Sequence, residues 1–273
     1  MAALALHLGA LTRQETESAE PLAGGDWSMR PGTYIGPFVV GWSFDVLLFG
    51  VIFHQVIIWS SHFQAERLVT KLLVIWTFLV SFGVTVFIIH EIWDKFVLNY
   101  GVFAPFADPR VHAIYLMLDA AVVVPVQMFY AARASRFVSK KIWLGVPVVV
   151  LIAVSVVGTV GGTVTAVQLD AQMGWSTKLD KWLYVLLSSM TAANLLIAVW
   201  STFGLMSSQT PRRQSDQFAV RLIRVGAETF AGPTILALAS FLHLVTHGGS
   251  LMNVFFECVL GKLHVVSLLG KSA

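Results

Sequence analysis

Charged residues are scarce in this chain of 273 residues, since Asp, Glu, Lys and Arg together make up 12% of it, where an ordinary soluble domain has roughly 25%. Hydrophobic residues make up 56%, and the mean hydropathy is +0.76. A soluble fold of this length would leave too much apolar surface in water. The composition therefore argues against a water-soluble domain and predicts a protein embedded in a lipid bilayer.

Cysteine and clustered basic charge are nearly absent as well. Cys258 is the one cysteine in the sequence, so no intrachain disulfide can form and helix packing must hold the fold. The formal net charge is +3, but the Lys and Arg residues lie between apolar segments rather than in one patch, which argues against a nucleic-acid partner. No phosphate-binding glycine loop or nucleophile elbow is present, so no cofactor is predicted and an enzyme is not the expected class.

Long apolar runs are what the sequence has instead. A helix needs about 20 mostly apolar residues to cross a bilayer, and barrel strands would alternate over segments of about ten. The sequence therefore predicts an all-α fold, a polytopic transmembrane bundle of seven helices. The predicted helices cover residues 35–60, 69–93, 112–131, 142–168, 182–206, 220–246 and 250–269.

The distribution of basic residues predicts the orientation of this bundle. Twelve of the 18 Lys and Arg residues fall on the side of the loops after helices one, three and five. The positive-inside rule puts that side in the cytoplasm, with the N-terminus outside and the C-terminus in the cytoplasm. We expect a disordered extracellular tail over residues 1–34 and a cytoplasmic tail over 270–273. The membrane is either the plasma membrane or an endomembrane.

Small residues and prolines predict local packing. Gly158 and Gly162 form a GxxxG motif, which permits close approach to a neighbouring helix. Pro125, Pro147 and Pro233 lie within or near the interiors of helices three, four and six. A proline there bends the helix or frees a backbone carbonyl.

Short motifs in the first two helices and in the last helix carry a resemblance. They are Gly36-Pro37, Leu48-Phe49-Gly50-Val51 with Gln55, Lys71-Leu72-Leu73-Val74, Asn99-Tyr100-Gly101, Phe255-Phe256, Leu260-Gly261-Lys262-Leu263 and Ser267-Leu268-Leu269. Together they resemble the fungal multi-pass membrane family called domain of unknown function 6534. The chain departs from that pattern where it has His264-Val265-Val266-Ser267 in place of a Tyr-Val-Asn-Ser run. The resemblance implies a fungal seven-helix membrane protein and implies no particular activity.

Ionisable residues within the predicted helices are the first candidates for a site, because a charge at the bilayer centre costs about 2.5 to 3.5 kcal/mol on insertion scales. They are Asp45, Asp119, Glu228, Glu257 and Lys262. Three of the acids lie in the outer half, whereas Glu228 lies nearer the cytoplasm and could reach Lys262. One hypothesis is an acidic cavity open to the outside, which binds a cationic ligand or transfers protons. The alternative is that the carboxyls are neutral and join helices by hydrogen bonds, with Glu228 and Lys262 as a packing pair.

Three amides also lie at membrane depth, namely Gln55, Gln127 and Asn194. Amide side chains often join transmembrane helices by hydrogen bonds. We expect that role for all three, with ligand binding by Gln55 as the alternative.

Histidines at the outer ends of helices two, three and six suggest a metal site as a further alternative. His243 and His247 are four residues apart, so both imidazoles would point to one helix face. With His90 or His112 they could hold zinc, and a zinc-bound water could hydrolyse a lipid amide or ester. Against this, the helix is expected to end at Gly248-Gly249.

Three function classes remain open from the sequence. The leading hypothesis is receptor-like binding or sensing of a small molecule from the outer face, with the basic cytoplasmic loops facing anionic lipid or a protein partner. The alternatives are a transporter or proton-coupled carrier that uses the buried carboxyls, and the zinc-dependent lipid hydrolase. The sequence signatures of the common G-protein-coupled receptors are absent. Lys262 and Asp119 have the residue types of a retinal protein, but their depths differ and the flanking pattern does not fit.

Overall fold

The computed structural model describes residues 31–61, 68–100, 102, 106, 108–137, 145–168, 177–207, 216–247 and 252–270. Within these ranges, the side chains of 31–34, 109, 135–137, 177, 202–207, 216–230 and 247 are not described. Residues 1–30 of the predicted tail and residues 271–273 therefore lie outside the described set. The same holds for the side chains of Glu228 and His247.

Seven helices form the described part of the chain. They are α1 (Pro31–Ser61), α2 (Leu68–Trp93), α3 (Pro109–Phe137), α4 (Gly145–Gln168), α5 (Thr177–Ser207), α6 (Asp216–His247) and α7 (Met252–Leu269), and a π-helical turn (Asp94–Leu98) extends α2. The prediction of an all-α fold with seven helices is confirmed. Residues 31–34, predicted as tail, belong to α1, and Pro37 lies inside that helix.

The surface of the bundle has the character of a membrane-spanning protein. Six helices are long and apolar enough to cross a bilayer, and α6 has a shorter apolar segment, Ala231–Thr246, in the part whose side chains are described. Large apolar side chains point outward along these helices; among them, Leu47, Leu68 and Leu72 are 66%, 76% and 67% exposed. An apolar surface of this extent is suited to lipid rather than to water.

The last helix, α7, lies at the centre of the bundle. Its spanning window is 72% buried, compared with 28% to 44% for the other five spans, and it packs against α1, α2, α3 and α6. A helix enclosed by others can carry polar side chains without exposing them to lipid. Five such residues of α7 are buried, namely Asn253, Glu257, Lys262, His264 and Ser267.

The GxxxG motif joins α4 to α5. A Cβ atom on Gly158 would lie 2.9 Å from the backbone nitrogen of Leu186, and one on Gly162 would lie 3.6 Å from Cβ of Trp182. Gly161 faces the same tryptophan, since its Cβ would lie 2.5 Å from the indole ring. The prediction of close helix approach at this motif is confirmed, and α5 is the partner.

The three prolines all belong to helices of the bundle. Pro125 lies inside α3, and the indole N–H of Trp76 on α2 donates a 2.9 Å hydrogen bond to the carbonyl of Ala121, four residues before it. This is the carbonyl that proline leaves without a helical donor, so the predicted free carbonyl is confirmed. Pro233 lies inside α6. Pro147 is the third residue of α4 as described; residues 138–144 before it lie outside the described set, so the predicted effect of Pro147 stays a prediction.

Candidate functional site

A buried lysine and aspartate form the centre of the site. Lys262 on α7 and Asp45 on α1 are 3% and 0% exposed, and Nζ of Lys262 lies 3.5 Å from Oδ2 of Asp45. The ammonium group also donates to the Ser81 carbonyl oxygen at 2.6 Å and to the Thr85 hydroxyl at 2.8 Å, both on α2. Its three N–H donors thus face three oxygens, while the Phe49 ring lies 5.0 Å from Nζ.

Asp45 is held from three directions. The Thr85 hydroxyl donates to its Oδ2 at 2.9 Å, and the Tyr115 hydroxyl on α3 donates to its Oδ1 at 3.3 Å. Side chains of α1, α2, α3 and α7 therefore meet at one ion pair in the interior of the bundle. A buried ion pair gains little net stability, because both charges must be desolvated.

The acid in contact with Lys262 is Asp45. The sequence suggests Glu228 as the packing partner of Lys262, but the side chain of Glu228 lies outside the described residues. The proposed pairing with Glu228 therefore stays a prediction.

Asp119 on α3 links this ion pair to a second acid. Its carboxyl group lies directly against the backbone of α7, where a Cβ atom on Gly261 would overlap it. Asp119 borders two cavities, one of about 10 Å³ next to Asp45 and Lys262 and one of about 20 Å³ next to Glu257. A cavity needs roughly 10 to 15 Å³ to hold one water molecule. Each cavity is therefore water-sized, and Asp119 stands between them.

Glu257 extends the cluster toward the predicted outer face. It is 4% exposed, and its Oε2 lies 3.5 Å from Nδ1 of His112, close to the start of α3. Neither of its carboxyl oxygens accepts a hydrogen bond from the described residues. The polar cluster consequently runs from Lys262 in the interior, through Asp119 and Glu257, to His112.

Four of the predicted ligand-binding residues come together in this way, namely Asp45, Asp119, Glu257 and Lys262. Gln55 does not line either cavity, and its buried side-chain oxygen accepts no hydrogen bond from the described residues. Sequence reasoning missed Thr85 and Tyr115. Tyr115 could have been found, because it shares one face of α3 with His112 and Asp119 at spacings of three and four.

The histidines do not form the predicted metal site within the described residues. No group of three His, Cys, Asp or Glu side chains there lies close enough to hold a metal ion. His112 lies beside Glu257, His90 is 74% exposed and lies 3.7 Å from Glu91, and His243 packs against the Phe256 ring. The side chain of His247 lies outside the described residues, so the complete set stays a prediction.

A second polar cluster lies nearer the predicted inner face. Gln127 on α3 donates to Asn194 on α5 at 2.9 Å, which confirms interhelical hydrogen bonding for this pair. His264 on α7 places one ring nitrogen 2.9 Å from the Leu260 carbonyl oxygen and the other 3.4 Å from the Asn194 side-chain oxygen. Polar contacts therefore continue along α7 beyond the ion pair.

Comparison with protein-family models, with curated proteins and with solved structures gives no match. The resemblance to domain of unknown function 6534 accordingly stays a prediction. The fold and the site define a class, a polytopic helical membrane protein with an ionisable cluster buried among α1, α2, α3 and α7.

Proposed function

We propose that this protein is a receptor-like membrane sensor in which protons or small cations arriving from the predicted outer face act on the buried ionisable cluster. The observation that carries the proposal is the connection of the Asp45–Lys262 ion pair to Glu257 through Asp119. An ionisable residue within a membrane is a functional-site hypothesis by default. Here three carboxyls and one amine lie in a single cluster where four helices meet.

The size of the cavities supports a small cationic stimulus rather than an organic ligand. A drug-sized ligand needs a pocket of about 300 to 1,000 Å³, whereas the two cavities that border Asp119 measure about 10 and 20 Å³. A chromophore bound to Lys262, as in a retinal protein, would also need more space than these two cavities provide. A proton or a bare cation fits either cavity and changes the charge balance around Lys262.

The Asp45–Lys262 ion pair can act as a switch, because the attraction on Lys262 depends on the charges of the carboxyls around it. Asp119 is faced by Asp45 and Lys262 on one side and by Glu257 on the other, and Glu257 is faced by His112. Proton uptake by a carboxyl in this cluster removes part of the attraction that holds Lys262. We infer that α7 then shifts relative to α1 and α2, as in other switches based on a local charge change.

Distance measurements by electron paramagnetic resonance can test this proposal. We would place spin labels at Leu68→Cys and Gly270→Cys, at the predicted inner ends of α2 and α7, where both positions are exposed. Cys258 is buried and can stay in place. We expect a second distance population to grow when the pH falls from about 8 to about 4, since carboxyls take up protons near the lower value. Asp119→Asn, which cannot ionise, should show that population at both pH values.

The matched control is Asp108→Asn, at the start of α3. The Asp108 side chain accepts a hydrogen bond from the Arg110 backbone at 2.9 Å, and asparagine can accept the same bond. This variant should respond to pH like the unmodified protein. A distance distribution that is the same at both pH values would contradict the proposal, as would an unchanged response in Asp119→Asn.

A proton-coupled carrier is the second candidate, and the inner polar cluster favours it. Both ring nitrogens of His264 face oxygen atoms, an arrangement that satisfies an imidazole carrying two protons. Liposomes that contain the protein and a pH-sensitive dye can test for a carrier that leaks protons. When the lumen is made electrically negative, such a carrier would acidify the lumen. His264→Ala would slow this acidification. Proton flux equal to that of empty liposomes would favour the sensor. The zinc hydrolase gains no support from the described residues.

A further inference from the structure

The geometry points to a sodium-binding site in the cavity between α3, α4 and α7. We propose that Na⁺ binds there, coordinated by Asp119, Ser155, Thr159 and Glu257, which all line the cavity of about 20 Å³. Apolar side chains of α5 close its remaining wall, namely Leu186, Leu187 and Met190. This inference extends the proposed function, because it names the cation that would regulate the same cluster.

Two hydroxyl-bearing residues of α4, Ser155 and Thr159, line the cavity. Ser155 donates its hydroxyl proton to the Ile152 carbonyl at 2.8 Å, and Thr159 donates to the Ser155 carbonyl at 3.0 Å. Each hydroxyl has one proton and two acceptor lone pairs. With the protons used within α4, both oxygens remain available to a cation. Both residues are buried, so the surrounding lipid cannot reach them.

The environment of Glu257 gives a further reason to place a cation in this cavity. It is 4% exposed and borders the cavity, and no described residue donates a hydrogen bond to either of its oxygens. A buried carboxyl without hydrogen bonds costs free energy. The neighbouring His112 at 3.5 Å approaches only one of the two oxygens. A cation between Glu257 and Asp119 would contact both carboxyls at once.

The size of the cavity and the set of oxygens favour Na⁺ over divalent ions. Mg²⁺ usually keeps several water molecules, and a cavity of about 20 Å³ has room for about one. Ca²⁺ takes six to eight oxygens, whereas the four side chains offer six at most and the Asp119 carboxyl also lies against Gly261. A monovalent hard cation needs fewer ligands and fits the two hydroxyls and two carboxyls.

Binding and stability measurements with sodium as the probe can test the site. We expect the purified protein in detergent to bind radioactive Na⁺ saturably, at about one ion per chain, and not to bind it in Asp119→Asn. The thermal midpoint should rise with Na⁺ concentration relative to choline at equal ionic strength, because a ligand that binds the folded state stabilises it. In Thr159→Val and in Ser155→Ala, Na⁺ should bind at least about tenfold more weakly.

The chain offers matched controls for both hydroxyl variants. Thr165 on α4 donates its hydroxyl proton to the Gly161 carbonyl at 2.8 Å, and Ser189 on α5 donates to the Val185 carbonyl at 2.6 Å. Neither lines the cavity. Thr165→Val and Ser189→Ala should therefore keep the sodium response unchanged.

Several outcomes would overturn the site. They are the absence of saturable Na⁺ binding, equal Na⁺ responses in Thr159→Val and Thr165→Val, and stabilisation by Ca²⁺ or Mg²⁺ but not by Na⁺. If Asp119→Asn does not fold, the two threonine variants still decide the result. A pH-dependent distance change that persists in choline while Na⁺ fails to bind would remove the sodium site and leave the proposed sensor intact.

Discussion

Lys262 is held by three oxygens of different kinds, and their distances indicate what each contributes. The Ser81 carbonyl and the Thr85 hydroxyl lie within hydrogen-bond range at 2.6 and 2.8 Å, whereas the Asp45 carboxylate oxygen lies at 3.5 Å. A charged group with a hydrogen-bond partner avoids most of the cost of an unsatisfied one. Proton uptake by Asp45 would therefore weaken the hold on Lys262 without leaving the ammonium group unpaired. Lys262 can therefore stay buried both when Asp45 is ionised and when Asp45 is protonated.

The contact between Gly261 and Asp119 gives a prediction for a single residue. Gly261→Ala should lower the free energy of unfolding by about 1 to 3 kcal/mol, the usual cost of overpacking, because its Cβ would overlap the carboxyl of Asp119. Unfolding equilibria in lipid bicelles would measure the change. Gly83→Ala on α2 is the control, since no atom lies within 4 Å of a Cβ there. It should change stability by no more than about 1 kcal/mol.

A second substitution shows whether the cost of Gly261→Ala comes from overlap with Asp119 or from a change in α7 itself. Shortening the acid in Gly261→Ala/Asp119→Ala removes the overlapping atoms, so the alanine at 261 should cost less in that background. If Gly261→Ala costs no more than Gly83→Ala, the close approach of Asp119 to α7 is wrong.

At the scale of helices, α2 and α3 are joined by a hydrogen bond that a proline makes necessary. Pro125 has no N–H to donate to the Ala121 carbonyl, and lipid contains no water to replace it. The Trp76 indole supplies the donor at 2.9 Å. An aromatic residue that is 51% exposed at membrane depth thereby has a structural role in addition to lipid contact.

This arrangement predicts coupling between Trp76 and Pro125. Trp76→Phe should cost about 0.6 kcal/mol, the measured average for hydrogen bonds between transmembrane helices, and no more than about 1.7 kcal/mol, the largest measured value. In a Pro125→Ala background the same substitution should cost much less, because the alanine N–H can bind the Ala121 carbonyl itself. A double-mutant cycle of unfolding free energies measures the difference. Equal costs in both backgrounds would show that the indole does not replace the missing donor.

The helices could be predicted from the sequence because hydrocarbon thickness sets their length, and the predicted bounds 69–93 and 142–168 lie close to Leu68–Trp93 and Gly145–Gln168. The depth of Asp45, Asp119 and Lys262 followed from the same bounds. The contacts between them did not follow. Which residues meet depends on which helix faces pack together, and helices that are apolar all round do not indicate their inner face. The pairing of Lys262 with Asp45 is therefore visible in the structure alone.

At the scale of the molecule, the position of α7 determines how a change in the cluster would spread. The other helices that contact the ion pair, α1, α2 and α3, all pack against α7. Displacement of one central helix necessarily alters each of those interfaces, whereas displacement of a peripheral helix would alter fewer. A signal that starts at Asp119 can consequently reach both faces of the membrane through α7, without a chain of separate contacts.

The sensor and the carrier both require that the helices alternate across the membrane. The crossing by α6 is the one to test, because its apolar segment, Ala231–Thr246, is the shortest among the residues whose side chains are described. Three introduced cysteines would report the topology. Two of them, Tyr100→Cys and Leu68→Cys, lie at opposite ends of α2, where the native side chains are 83% and 76% exposed. The third, Gly270→Cys, lies at an exposed position after α7. With an odd number of crossings and basic loops inside, an impermeant maleimide should label Tyr100→Cys in intact cells, but Leu68→Cys and Gly270→Cys only after permeabilisation. The reverse pattern would invert the orientation. Labelling of Gly270→Cys together with Tyr100→Cys would mean that α6 does not cross, and then the cluster around α7 would be reached from the opposite side.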